Sequence, residues 1–124
     1  MHPEQMTKIH RLVDRDGRYR REAYVFVLEA LTFTQQKFKK LGQRGHISGR
    51  ELCGGIRELA ERQFGYLAKT VFAQWGVTRT EDFGEIVFAL VEDEHLSKQE
   101  SDSKEDFAGV YDFDEVFEKR LVTD

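Results

Sequence analysis

Apolar residues along this chain recur at spacings of three and four. That period constrains the fold more than any other feature, because it gathers them on one stripe of a helix. Met6, Ile9, Leu12 and Val13 form the first series, shortly after Pro3, a residue suited to a first helical turn. Asp16-Gly17 breaks it. Tyr24, Val27, Leu28, Leu31 and Phe38 mark a second helix, predicted over residues 21–40. Val25, Phe26 and Phe33 widen its stripe, so it is expected to be central and covered on more than one side. Lys37, Lys39 and Lys40 suit the negative end of its dipole, and Gly42 suits its stop.

Ser48-Gly49-Arg50-Glu51 has the spacing of a capping box, and Leu52, Ile56, Leu59 and Ala60 follow at helical intervals. Phe64-Gly65 interrupts the pattern. Leu67, Ala68, Val71, Phe72 and Trp75 resume it until Gly76, giving one kinked helix or two meeting near Gly65. Thr78 and Thr80 are both candidate caps for the next helix, whose stripe is Phe83, Ile86, Val87, Leu90 and Val91. Residues 97–106 read as a charged loop. Asp112-Phe113-Asp114-Glu115 reads as a second capping box before a last short helix carrying Val116, Phe117 and Leu121.

We therefore expect an all-α or nearly all-α fold, a compact bundle of five or six helices in one domain over residues 1–124. A small C-terminal β-hairpin, with strands at 96–99 and 107–111, is an optional addition. The expected core holds Tyr24, Val27, Leu28, Leu31, Leu52, Ile56, Leu59, Val71, Phe72, Trp75, Phe83, Ile86, Val87 and Leu90. The 124 residues suffice for one core and not for two. No internal repeat or long linker divides them.

No apolar run approaches the length of a membrane span, and residues 1–8 lack the apolar stretch of a signal peptide. The single cysteine, Cys53, precludes an intrachain disulfide and suits the reducing cytoplasm. Beside Gly54 and Gly55 it reads as a small apolar helix residue rather than a reactive thiol. Net charge is −4, unevenly placed. Residues 1–50 hold 11 Lys and Arg against 5 Asp and Glu, a net of +6; residues 51–124 hold 8 against 18, a net of −10. Such halves make a polar molecule or attract each other across one fold, and the second reading is the simpler.

Arg11, Arg15, Arg18, Arg20 and Arg21 form the densest basic stretch, with Tyr19 and Tyr24 interleaved. Basic residues with aromatics are a footprint of nucleic-acid binding, although the acidic total opposes approach to a polyanion. Gly42-Gln43-Arg44-Gly45 is a G-x-x-G between helices, flanked by Lys39, Lys40, His46 and Arg50. Such a loop clamps a nucleic-acid backbone in KH domains, but the strands of that fold are not evident. The candidate nucleic-acid-binding residues are therefore Arg15, Arg18, Arg20, Arg21, Lys39, Lys40 and Arg44. A winged-helix reading of 81–111 would present an acidic helix, better suited to a basic protein than to DNA.

Glu92-x-x-His95 has a spacing used in di-iron bundles, which need two such motifs and two further Glu. Only one is present, so no metal site is expected. There is no G-x-S-x-G, and the four His are scattered at positions 2, 10, 46 and 95. We expect no catalytic residue and no cofactor.

One resemblance covers most of the chain. Its segments are His46-Ile47-Ser48-Gly49-Arg50-Glu51-Leu52, Gly55-Ile56-Arg57-Glu58-Leu59-Ala60, Phe64-Gly65, Ala68-Lys69-Thr70-Val71, Trp75-Gly76-Val77, Glu105-Asp106-Phe107 and Tyr111-Asp112-Phe113. The most specific lies within Thr80-Glu81-Asp82-Phe83-Gly84-Glu85-Ile86-Val87-Phe88. Together they resemble an uncharacterised conserved family associated with Verrucomicrobia and Planctomycetes. The resemblance implies a bacterial, cytoplasmic setting and carries over no catalytic or binding residue. The sequence thus points to a non-enzymatic protein-interaction module with an unknown protein partner and no membrane. The alternatives are a nucleic-acid binder using the basic N-terminal half and, for the assembly, a homodimer.

Overall fold

The computed structural model describes residues 3–43, 45–93 and 103–117. Helices α1 (Pro3–Asp16), α2 (Arg21–Lys40) and α3 (Gly49–Phe64) lead into a 3-10 turn at Gly65–Leu67. Then come α4 (Ala68–Gln74), α5 (Thr80–Glu92), a second 3-10 turn at Lys104–Phe107, and the five-residue α6 (Phe113–Phe117). The fold is all-α among the described residues. No described helix is long and apolar enough to cross a membrane.

Local chemistry sets most of the boundaries. Helix α2 ends in a Schellman motif: the Gln43 N–H donates to the Phe38 carbonyl at 2.9 Å and Gly42 to Lys39 at 3.0 Å. Gly42 supplies the left-handed residue this closure needs, at φ +80°. Helix α4 closes in the same way, Val77 donating to Phe72 and Gly76 to Ala73, with Gly76 at φ +90°. At the start of α3 the capping box is complete. Glu51 N–H donates to Ser48 Oγ at 3.1 Å and Ser48 N–H to Glu51 Oε1 at 2.9 Å.

Two expectations about caps and strands are corrected. Neither Thr78 nor Thr80 caps α5. Arg79 occupies that position, and Asp82 reaches back to accept from the Thr78 and Arg79 N–H groups at 2.9 and 3.3 Å. The carboxylate brings a full negative charge to the positive end of the helix, which a neutral hydroxyl lacks. Residues 107–111 are not a strand but the end of a 3-10 turn and the loop after it. Ser103 and Asp106 form a capping box there, Ser103 Oγ accepting from Glu105 and Asp106 Oδ2 from Ser103, and this winds the chain into a turn. The proposed strand at 96–99 lies outside the described residues.

The packing centres on α2 and α3, with α5 alongside, the Lys104–Phe107 turn laid over α3 and α5, and α6 against α4 and the Gly65–Leu67 turn. Phe107 seats against two glycines. A Cβ on Gly49 would lie 2.9 Å from its ring, and one on Gly84 would lie 3.0 Å away. Thr80, fully buried, ties this segment down: its hydroxyl donates to the Phe107 carbonyl at 2.7 Å and accepts from the Val110 N–H at 3.2 Å. Thr80→Val keeps the shape and orphans both backbone groups, so it is expected to lower stability by about 2 kcal/mol or more, read by urea denaturation.

Of the expected core, Tyr24, Val27, Leu52, Ile56, Phe72, Phe83, Ile86 and Leu90 are buried. Leu28, Leu31, Leu59, Trp75 and Val87 pack on its margin and are partly buried, as is Val71. Helical spacing places a residue on a stripe but does not say where the stripe's edge meets solvent. Ile9, Leu12, Tyr19, Phe26, Val77, Phe107, Phe113 and Phe117 are buried in the core as well.

Candidate functional site

The basic residues singled out from the sequence fall into two groups at opposite ends of α2. Arg18, Arg20 and Arg21 lie at its start and Lys39 and Lys40 at its end, all exposed. From Arg21 to Lys39 the helix rises about 27 Å at ~1.5 Å per residue. Arg15 is in α1, close to the first group in sequence, and Arg44 lies outside the described residues. One continuous basic patch is therefore not formed by Arg18, Arg20, Arg21, Lys39 and Lys40.

The first group is also engaged locally. The Arg18 guanidinium lies 3.4 Å from Glu85 and covers the Tyr19 ring at 5.3 Å. Arg21 is 3.0 Å from the His10 ring nitrogen. The Arg20 N–H donates to the Trp75 carbonyl, stitching the start of α2 to the end of α4. Glu85 also receives Lys104 at 3.2 Å, and Lys37 pairs with Glu58. Arg18 and Lys37 from the basic half thus meet carboxylates of the acidic half inside one fold.

The titratable side chains of the interior serve structure. Burial pushes the Cys53 thiol up to about 12, which keeps it protonated. Its carbonyl accepts from the Tyr111 hydroxyl at 2.7 Å, and desolvation holds that phenol well above its ordinary range. Tyr19 is raised for the same reason and by donating to Asp82 at 2.7 Å. Among the described residues no three His, Cys, Asp or Glu side chains gather to hold a metal. His95 of the Glu92-x-x-His95 motif lies outside them.

Two surface features remain. The first is a face without charge. Residues 63–78 contain one charged residue, Lys69, in a chain that is 34% charged. Lys69 is half-buried and pairs with Asp114 of α6. The exposed residues of the Gly65–Leu67 turn and α4 are Tyr66, Leu67, Thr70, Ala73 and Gln74. Tyr66 is 53% exposed and Leu67 50%, two of the three large apolar side chains standing out of the described surface. Leu67 belonged to a helical stripe in the sequence, but the tighter 3-10 turn rotates it to solvent. The charge gap was the signal available in the sequence, and periodicity alone does not find it.

The second feature is a concave pocket of about 410 Å³ where the last turns of α2, the following loop and the first turn of α3 meet. Gln35, Phe38, Lys39, Gln43, Gly45, His46, Ile47 and Glu51 line it. The G-x-x-G spacing marked this loop, but the pocket arises from the approach of two helices that the spacing does not encode.

The geometry defines a small all-α domain with an uncharged, partly apolar exposed face and a separate polar pocket. No family model, curated protein or solved structure matches the chain.

Proposed function

We propose that this domain is a non-enzymatic protein-interaction module that docks through the Gly65–Leu67 turn and α4. The observation that carries the reading is the uncharged face bearing Tyr66 and Leu67. Loss of charge and enrichment in tyrosine distinguish the centre of a protein interface from ordinary surface. A cluster of exposed apolar side chains on an otherwise charged domain suits a partner that covers it. The neighbouring α6 carries exposed Asp114 and Glu115, an acidic rim. The partner chemistry that fits is therefore an uncharged apolar centre edged by Lys or Arg. The bacterial cytoplasm implied by the family resemblance is the setting we assign. The nucleic-acid alternative is carried no further, because Arg18, Arg20 and Arg21 stand at one end of α2 and Lys39 and Lys40 at the other.

Affinity capture from source-cell lysate at several salt concentrations tests this, with sedimentation to read self-association. A stoichiometric protein, or a second copy of the chain, is expected to bind the native domain and to be lost with Leu67→Glu. Both residues are exposed, so Leu67→Glu and Tyr66→Glu are expected to change stability by less than about 0.5 kcal/mol. A partner that survives both variants, or no partner at any salt, rejects the reading.

A further inference from the structure

We propose that the pocket between α2 and α3 binds a mononucleotide, a small phosphate ester carrying a planar heterocycle. Its volume of about 410 Å³ falls in the range of small-ligand sites. Gln35, Phe38 and Lys39 come from one face of α2, at spacings of three and four. Gln43, Gly45, His46 and Ile47 come from the loop, and Glu51 from the first turn of α3.

The lining divides into three chemistries. Lys39 supplies a nitrogen donor for a phosphate, and it has no ion pair among the described residues. Phe38 and Ile47 form an apolar wall, and a phenyl ring provides a surface on which a base can stack. Gln35 and Gln43 each present a donor and an acceptor, the pairing that the edge of a base requires.

Glu51 argues against a bare anion. Its carboxylate lies in the lining and is already engaged by the Ser48 N–H. A ligand that carries both an anionic group and hydroxyls offers a partner to Lys39 and to Glu51. A nucleoside monophosphate carries both, and inorganic phosphate does not.

Calorimetric titration with AMP and GMP tests the assignment, with adenosine and inorganic phosphate as separate arms. AMP or GMP is expected to bind more tightly than either fragment. Lys39→Ala is expected to weaken that binding about tenfold or more through loss of a charged hydrogen-bond donor. Lys39 is exposed, and an unchanged melting temperature confirms that the variant is folded. Leu67→Glu is expected to bind the nucleotide as the native protein does, which separates this site from the docking face. Phosphate binding as tightly as AMP overturns the nucleotide assignment. Absence of binding at millimolar nucleotide, or affinity indifferent to Lys39→Ala, overturns the site.

Discussion

Replacing Phe72 by alanine is expected to cost about 3–5 kcal/mol, the largest loss for any single side chain here. Phe72 is 1% exposed and stands at the centre of the ring cluster. Its centroid lies 5.4 Å from Phe83, 5.5 Å from Phe26, 5.6 Å from Phe113 and 5.7 Å from Trp75 and Phe117. These rings come from α2, α5, α6 and the end of α4. Truncation therefore leaves a cavity bordered by four elements that cannot all close on it. A domain of ordinary stability, about 5–15 kcal/mol, would lose a large share of it. Urea unfolding should show a lower midpoint with an unchanged slope. A shift no larger than that of a surface substitution would mean that Phe72 is not the hub these distances describe.

Gly55→Ala is the second large effect, and its sign is informative. In a free helix the change would stabilise by about 1 kcal/mol. Here a Cβ on Gly55 would fall 1.8 Å from Thr34 Oγ1 and 3.0 Å from Thr34 Cβ. Thr34 is itself 1% exposed, and its hydroxyl is held at 2.7 Å on the Ala30 carbonyl. The helices α2 and α3 must part or shift, and a net destabilisation of about 3 kcal/mol is expected. Adding Thr34→Ala removes the nearest atom but leaves the Cβ contact. The double variant should recover part of the loss, with a coupling of about 1 kcal/mol or more. A more stable Gly55→Ala protein would show that α2 and α3 do not meet at this point.

The sequence anticipated what local chemistry decides. The limits of α2, the Ser48 box and the break after Phe64 follow from caps, dipoles and glycine, which act within a few residues. Asp112 lies at the start of α6 as expected, but its side chain accepts from the Asp114 N–H at 2.8 Å, one residue short of the capping box its spacing suggested. Misreadings occurred where a distant partner decided. Thr80 has the chemistry of a cap, yet Phe107 and Val110 claim its hydroxyl from nearly thirty residues away. Gly49 and Gly84 gave no signal of their own in the sequence, and their value is the room they leave for Phe107. The functional surface divides similarly. The uncharged stretch is visible as a gap in the charge pattern, whereas the exposure of Leu67 depends on how the 3-10 turn is rotated. Arg18, Arg20 and Arg21 stand far from Lys39 and Lys40, because the length of α2 separates them.

The order in which the core is supplied has a consequence for synthesis. Phe113 and Phe117 enter the ring cluster and Phe107 fills the notch at Gly49 and Gly84, and they are the last large buried side chains among the described residues. On a ribosome, α1 to α5 emerge with Phe72 and Phe83 facing an unfilled hollow, and with Gly49 and Gly84 as an open notch. Packing closes only when residue 117 has left the exit tunnel. Until then the nascent chain presents its aromatic centre to whatever chaperone or neighbouring chain is nearby.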